Sequence, residues 1–306
     1  MGRSVRAVVV TYDPIGEGER NDEHKSGTRQ HDRVVDVDGY PQHLSGLMIM
    51  DVMQAVSYLR QRADVDPARI AILGYSMGSF VSAITGAVDN RIHAVVLSGG
   101  GDLDGPGGYW DRSNKLMCQA GPWKALSVLD DRPAVIFALN QQRGPTYLIN
   151  GSADTLVDIP NHLEPYFAEL RKRVEAITGN QKNVFETYFV TDASHRPNWV
   201  TRPAGLWLKQ NLGLPKWTTQ QIEQMPETHI SEWAKQNGVT MDTGYIQEDR
   251  EGGVMALGKR IPNMNRESLT VVPMDQWRSQ KDEYVYSAWV RHTLNLLASS
   301  RPEKRD

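Results

Sequence analysis

The sequence lacks the features that mark disulfide-linked, membrane-spanning and nucleic-acid-binding proteins. Cys118 is its single cysteine, which excludes an intramolecular disulfide. Its uninterrupted apolar runs are a few residues long, far short of the roughly 20 that cross a bilayer. The formal net charge is only −3 over 306 residues and no Lys/Arg run exceeds three residues, so we expect no basic surface for nucleic acid or an anionic membrane.

The amino terminus also shows no export signal. Residues 1–6 contain no apolar core followed by a small-residue cleavage site, and they lead directly into a strand-like segment. The chain as given is therefore expected in the cytoplasm, although a longer reading frame would leave the compartment open. Its composition, 40% hydrophobic and 23% charged, is that of an ordinary globular protein.

Short β-branched apolar runs alternate with amphipathic segments over the first two thirds of the chain. Strands are predicted at residues 6–11, 69–73, 92–97, 146–150 and 184–190, and helices at 44–60, 79–87, 160–177 and 198–210. This alternation predicts βαβ units, and therefore an α/β fold with a mainly parallel sheet flanked by helices. Residues 1–214 form this domain, with an irregular, partly helical insertion at about 101–145.

The pattern changes after residue 214. The segment 215–306 is rich in tryptophan, with Trp217, Trp233, Trp277 and Trp289. A strand pair is predicted at 253–258 and 268–273, followed by a last helix over about 285–296. We interpret residues 215–306 as an α+β extension, and no motif assigns chemistry to it.

The segment Gly74-Tyr75-Ser76-Met77-Gly78 joins a predicted strand to a predicted helix. A serine on such a sharp turn is pushed clear of the sheet, and the glycines permit the strained backbone and close packing that the turn needs. The Met77 backbone N–H, at the start of the helix, is then a candidate oxyanion donor. The alternative is an ordinary strand-to-helix turn.

A serine nucleophile needs a base and an acid, and both follow later strands. Asp154 comes just after the strand at 146–150, and His195 just after the strand at 184–190. The order serine, acid, histidine is the one used when the nucleophile lies on such a turn. Asp158 and Asp192 are alternatives for the acid, and His195 as a surface-loop residue is the alternative for the base.

Aromatic residues near these positions are candidates for a substrate pocket. They are Tyr75, beside the serine, and Tyr109, Trp110 and Trp123 in the insertion. Packing into a separate aromatic cluster is the alternative for the three in the insertion. His24 and His31 lie in an acidic loop, but their spacing matches no metal site, so neither a metal nor another cofactor is predicted.

With the 74–78 motif, Asp154 and His195 in this order, the chain resembles the α/β-hydrolase superfamily over about residues 5–212. Residues 12–20, Tyr-Asp-Pro-Ile-Gly-Glu-Gly-Glu-Arg, are similar to the Asp-x-x-Gly-x-Gly turn after the fourth strand of that family. The resemblance implies a serine nucleophile at 76, with Asp154 as the acid and His195 as the general base.

A second resemblance narrows the group. Residues 43–46, His-Leu-Ser-Gly, followed by a helix and by Val-Asp-Pro-Ala-Arg-Ile at 65–70, are similar to acetyl xylan esterases and dienelactone hydrolases. These relatives act on carboxylic esters, often with small acyl groups. Dienelactone hydrolases use cysteine as the nucleophile, so Ser76 favours the esterases.

The resemblance departs at the amino terminus. Family members have three strands before the one that matches residues 6–11, and the third ends in a loop that donates a second oxyanion N–H. We therefore expect an N-terminally truncated version of the fold. Either the chain is a fragment, or the sheet closes differently, or a partner chain fills the gap, and a homo-oligomer is one such arrangement.

These observations predict a serine esterase that cleaves short-chain acyl or acetyl esters through an acyl-enzyme. Its partner is a small-molecule ester, with no nucleic acid and no membrane. A serine peptidase of the prolyl-oligopeptidase type is the first alternative, since it shares the order of the three residues. A catalytically weak protein with a binding role is the second.

Overall fold

A parallel sheet forms the centre of the fold. The computed structural model describes residues 7–24, 45–100, 120–155, 157–182, 185–191, 193, 195, 201–214, 216–225, 236 and 272–300. The strands are β1 (Ala71–Tyr75), β2 (Ala94–Ser98), β3 (Thr146–Gly151) and β4 (Glu186–Val190), and they pair in that order. Four predicted strands are thus confirmed, with ends shifted by up to two residues.

Helices connect and flank the strands. They are α1 (Ser45–Gln61), α2 (Met77–Val88), α3 (Ala120–Ala125), α4 (Arg132–Arg143), α5 (Ile159–Thr178), α6 (Thr201–Leu212), α7 (Thr219–Glu223), α8 (Met274–Gln280) and α9 (Tyr286–Ser300). Short 3-10 turns occur at Gly18–Arg20, Leu126–Leu129 and Lys281–Glu283. The predicted helices at 44–60, 79–87, 160–177, 198–210 and 285–296 correspond to α1, α2, α5, α6 and α9.

The two faces of the sheet carry different sets of apolar side chains, because successive residues of a strand point to opposite sides. On β2, Val95 and Leu97 pack into a large core with apolar residues of α1, α2, α4 and α5. Ala94 and Val96 face the other way and pack against Trp207 of α6. Helices therefore cover both faces, which confirms the predicted α/β class.

The predicted strand at residues 6–11 is wrong for residues 7–11, which adopt no regular structure. Val9 is 80% exposed. A β-branched run favours an extended backbone, but it becomes a strand only where a neighbouring strand supplies hydrogen bonds. Within the described sheet β1 pairs with β2 alone, and Leu73 of β1 is 59% exposed.

The segment predicted as an irregular insertion ends in a helix of the core. Helix α4 is the crossover from β2 to β3, and its Ile136, Phe137 and Ala138 are buried in the large apolar core. Asp131 begins it, because the carboxylate accepts the Ala134 backbone N–H. Residues 101–119 and the predicted strand at 253–258 lie outside the described residues. Of the predicted strand at 268–273, only residues 272–273 are described, and they form no strand.

The turn after residue 12 is held to the first helix and to the carboxyl-terminal segment. Asp51 of α1 accepts hydrogen bonds from the Ile15 N–H and from Arg20. His24 is hydrogen-bonded to Asp282, which lies between α8 and α9. In the part of the chain that the structure describes, no helix is both long and apolar enough to cross a membrane.

Candidate active site

Ser76 lies between the last residue of β1 and the first residue of α2, with φ of 54° and ψ of −119°. A non-glycine residue with positive φ is strained, and such strain persists only where the surroundings enforce it. The Ser76 N–H donates to the Ser98 carbonyl at 2.8 Å, and the Ser76 carbonyl accepts from Ser79 N–H at 2.9 Å. A Cβ at Gly74 would collide with the Gly78 carbonyl, so this close turn requires glycine there.

The Ser79 hydroxyl contacts the backbone on both sides of the same turn, at the ends of β1 and β2. Its oxygen lies 2.9 Å from the Gly74 carbonyl and 2.7 Å from the Ser98 carbonyl, and it accepts the Ser98 N–H at 3.0 Å. Ser79 is fully buried. It therefore ties the end of β1 to the end of β2, and sequence reasoning missed it. A serine three residues after a candidate nucleophile, amid small apolar residues, is the signal that points to it.

The structure brings Ser76, His195 and Asp154 together. The His195 Nε2 lies 2.8 Å from the Ser76 Oγ, and the His195 Nδ1 lies 2.7 Å from the Asp154 Oδ2. An ionised carboxylate only accepts hydrogen bonds, so Nδ1 carries the proton. In a neutral imidazole Nε2 is then the acceptor for the Ser76 hydroxyl proton. Asp154 is 0% exposed and His195 is 4% exposed.

The loops after β3 and β4 hold the acid and the histidine. The Asp154 carbonyl accepts the Ile159 N–H at 2.9 Å, at the start of α5, and its Oδ1 lies 3.4 Å from the Val157 N. The Ala153 N–H donates to the Ala193 carbonyl at 2.9 Å. This bond joins the two loops directly, so the carboxylate and the imidazole are held by one connected piece of backbone.

The competing acids are placed differently. Asp158 begins α5 in a left-handed conformation, and its Oδ1 accepts from the Asn161 Nδ2 at 2.6 Å. Asp192 lies outside the described residues. Among the described candidates, Asp154 is the one whose carboxylate bonds His195.

Met77 is the first residue of α2. The N–H groups of a helix's first turn have no acceptor within the helix, and they carry its positive partial charge. The Met77 N–H is thus placed where the helix attracts negative charge, directly after Ser76. Its role as an oxyanion donor stays a prediction.

The candidate pocket residues differ in their burial and contacts, and two of them are not described. Tyr75 is half-buried, and its hydroxyl donates to the His195 backbone carbonyl at 2.7 Å. Trp123 is 0% exposed, and its ring packs edge-on to Phe80 and under the Arg132 guanidinium, the packed alternative considered above. Tyr109 and Trp110 lie outside the described residues.

Asn150 is a further buried polar residue near the turn that sequence reasoning missed. It is the penultimate residue of β3, and its Oδ1 accepts the Gly100 N–H at 2.8 Å. Gly100 in turn lies close to Ser76, because a Cβ there would be 3.1 Å from the Ser76 carbonyl oxygen. An amide at the end of an otherwise apolar buried strand is the signal that points to it.

Comparison with known proteins gives this arrangement a family context. A match to the model of the prolyl oligopeptidase family covers residues 41–213, a range that contains Ser76, Asp154 and His195. Over 51 residues the chain is 43% identical to YtaP of Bacillus subtilis (strain 168), which is named as a hydrolase. That segment is 17% of this chain and 17% of YtaP.

Two solved structures superpose on about half of the chain. A puromycin-hydrolysing peptidase of Mycobacterium tuberculosis is 18% identical with a TM-score of 0.40, over 54% of this chain and 25% of its own. A glucuronoyl esterase of Solibacter usitatus is 17% identical with a TM-score of 0.38, over 52% of this chain and 47% of its own. The chain therefore spans less than two thirds of the length of each of these relatives.

Proposed function

The chain belongs to the prolyl oligopeptidase family, and on that premise we propose that it is a serine hydrolase that cleaves carboxylic esters of short acyl groups. One observation carries the proposal. The His195 imidazole lies within hydrogen-bond distance of both the Ser76 hydroxyl, at 2.8 Å, and the Asp154 carboxylate, at 2.7 Å. A nucleophile, a base and a group that orients the base are thus in contact in the order that acyl transfer requires.

In the acylation step the Ser76 Oγ attacks the ester carbonyl carbon while its proton passes to the His195 Nε2. Asp154 stabilises the resulting imidazolium and keeps its proton on Nδ1. The carbonyl oxygen becomes an oxyanion, which the Met77 N–H would stabilise. When the intermediate collapses, the C–O bond to the alcohol breaks and the alcohol takes the proton back from Nε2.

Deacylation repeats these steps with water. His195 removes a proton from the water molecule, the hydroxide adds to the acyl carbon, and the Ser76 Oγ leaves with the proton held on Nε2. The products are the free acid and the regenerated serine. Neither step calls for a metal or an organic cofactor, since every proton has a described donor or acceptor.

A serine peptidase is the second candidate, because the family match favours it. The two candidates differ in how much stabilisation the reaction needs. We propose one oxyanion donor among the described residues, the Met77 N–H, and each such donor contributes about 10²- to 10³-fold in rate. A single donor suits an ester with a good leaving group better than an amide, whose leaving amine must also be protonated.

The test compares esters with amides on the intact chain. We expect hydrolysis of p-nitrophenyl acetate with a burst of one p-nitrophenolate per chain, and stoichiometric labelling of Ser76 by a fluorophosphonate. Ser76→Ala should lose both. Ser299→Ala, which changes an exposed serine of α9, is the matched control and should keep both.

Three outcomes would contradict this proposal in different ways. Full turnover by Ser76→Ala would exclude the serine as nucleophile. Cleavage of a prolyl p-nitroanilide peptide without ester cleavage would favour the peptidase. An intact, folded chain that the fluorophosphonate fails to label would favour a binding role instead.

A further inference from the structure

Tyr75, the residue before Ser76, contacts the same histidine that Ser76 contacts. Its hydroxyl donates to the His195 backbone carbonyl at 2.7 Å. The two rings lie 5.4 Å apart between centroids, tilted by 37°. Neighbouring residues of one turn therefore hold His195 at two points, Ser76 at the imidazole and Tyr75 at the main chain.

This bond joins opposite edges of the described sheet. Tyr75 ends β1 and His195 follows β4, with β2 and β3 between them. Adjacent strands are about 4.8 Å apart, so β1 and β4 are separated by about 14 Å. The His195 carbonyl nevertheless lies 2.7 Å from the Tyr75 hydroxyl, so His195 is much closer to Tyr75 than strand β4 is to strand β1.

Gly99 leaves the space through which the two side chains meet. It follows β2 with φ of +60°, and a Cβ there would lie 2.8 Å from the Tyr75 Cε2 and 3.5 Å from the His195 Cε1. A side chain at this position would push the tyrosine ring away from the histidine. Glycine at position 99 therefore allows the Tyr75 ring to approach His195 closely.

Asp154 and Tyr75 constrain different parts of His195. Asp154 bonds the imidazole at Nδ1, which sets the tautomer and the ring orientation, but a ring can swing about a displaced backbone. The Tyr75 bond fixes the backbone from which the ring extends. Together the two bonds constrain both the imidazole and the backbone of His195.

We propose that Tyr75 is a positioning residue whose hydroxyl sets the distance between the His195 Nε2 and the Ser76 Oγ. The inference rests on the proposed function, because it concerns the same nucleophile and base. It adds a second role to the predicted pocket role of Tyr75, because the hydroxyl bonds the His195 backbone carbonyl.

The test is Tyr75→Phe, which keeps the ring and removes only the hydroxyl. We expect kcat for p-nitrophenyl acetate to fall about tenfold while KM stays within about twofold, because misplacing a base slows chemistry and leaves ground-state binding intact. The rate of fluorophosphonate labelling of Ser76 should fall by a similar factor. Tyr188→Phe, which removes a partly exposed hydroxyl from β4, is the matched control and should leave both values unchanged.

A spectroscopic signal separates positioning from stability. A Nδ1–H proton bonded to a carboxylate resonates at low field in the proton NMR spectrum, and we expect this His195 signal to broaden or shift in Tyr75→Phe at a temperature where the variant is fully folded. A small fall in melting temperature is expected as well, because the variant loses one hydrogen bond. A loss of kcat that occurs only at temperatures where circular dichroism shows the variant to be partly unfolded would assign the effect to stability and overturn the positioning role.

Two results distinguish this inference from the function on which it rests. If the unmodified chain reacts with the fluorophosphonate and Tyr75→Phe reacts at the same rate with the same low-field signal, the role of Tyr75 is excluded and the proposed function stands. If the unmodified chain does not react at Ser76 at all, both are overturned.

Discussion

The Ser79 hydroxyl contacts both the N–H and the carbonyl of Ser98. The Ser98 N–H donates to the Ser79 Oγ at 3.0 Å, and the Ser79 Oγ lies 2.7 Å from the Ser98 carbonyl. The same carbonyl accepts the N–H of Ser76 at 2.8 Å. The strained backbone of the candidate nucleophile is therefore held by a strand end that a buried hydroxyl of α2 keeps in place.

Ser79→Ala should weaken this arrangement. The substitution removes the hydroxyl that lies 3.0 Å from the half-buried Ser98 N–H, and losing such a hydrogen bond costs about 0.5–1.5 kcal/mol in free energy of unfolding. Thr85→Val is the control, since the Thr85 hydroxyl donates to the Val81 carbonyl one turn earlier in the same helix. Urea denaturation measures the free energy of unfolding of the two variants. Equal decreases would show that the Ser79 hydrogen bonds stabilise the protein no more than the Thr85 bond does.

Gly99→Ala should impair the site as well as the fold. Positive φ costs a non-glycine residue about 1–2 kcal/mol, and the added methyl would also meet the Tyr75 ring. Gly179→Ala is a matched control because Gly179 has φ of +64° with open space around it. We expect similar loss of stability from strain in both variants, and slower fluorophosphonate labelling only in Gly99→Ala. Slower labelling in both variants would show that lost stability, and not contact of the new methyl with the Tyr75 ring, slows the reaction of Ser76.

Asp154→Asn should reduce kcat on esters by about 10⁴-fold, because an amide can donate to Nδ1 and so favour the wrong tautomer of His195. Asp158→Asn is the control, since the Asp158 carboxylate bonds Asn161. Steady-state kinetics with p-nitrophenyl acetate provide the comparison. A larger effect at position 158 than at 154 would exchange the roles of the two acids.

Asp89 at the end of α2 should make stability sensitive to acid. Burial raises the pKa of its carboxyl, but hydrogen bonds from the Arg91 side chain and backbone outweigh burial and hold this pKa below its ordinary value. Stabilisation from a depressed pKa is complete above the unfolded value, about 3.9, and is lost as pH falls through the folded value. Asp89→Asn should therefore cost about 2 kcal/mol at pH 7, and this cost should shrink below about pH 4.

Urea denaturation at several pH values tests the Asp89 prediction. Asp64→Asn is the comparison, because the Asp64–Arg62 pair is also bonded but is exposed to solvent. Its effect should be smaller and should diminish with added salt. A cost at Asp89 that stays constant from pH 7 to pH 3 would rule out the proposed linkage.

Local patterns predicted the elements that carry the candidate site. The 74–78 motif stands between a β-branched run and a helical stretch, so the turn follows from the chain order alone. Asp154 and His195 were found because each comes after a strand, and the carboxyl ends of parallel strands share one edge of a sheet. Along the chain His195 is 41 residues from Asp154 and 119 residues from Ser76. The strands before Asp154 and His195 are neighbours in the sheet, whereas β1 and β4 are not, so the sheet order predicts the first contact and leaves the second to the path of the chain after β4.

Contacts that depend on loop paths were beyond the sequence. The Tyr75 bond to the His195 carbonyl requires a bend after β4 that no residue pattern specifies. The strand predicted at 6–11 failed because β-branched composition reports backbone preference and not the presence of a partner. Helix α4 lies where the sequence predicts an irregular, partly helical insertion. Its buried face includes Arg132 and Asn140, polar residues whose bonds to other elements only the fold reveals.

The edge of β1 that does not face β2 bears on how the protein self-associates in solution. Within the described sheet this strand has a neighbour on one side only, and its Leu73 is 59% exposed. A strand edge with an outward apolar side chain is a template on which an extended segment of another chain can add. We therefore expect self-association to rise with protein concentration and to begin at this edge, before the core unfolds.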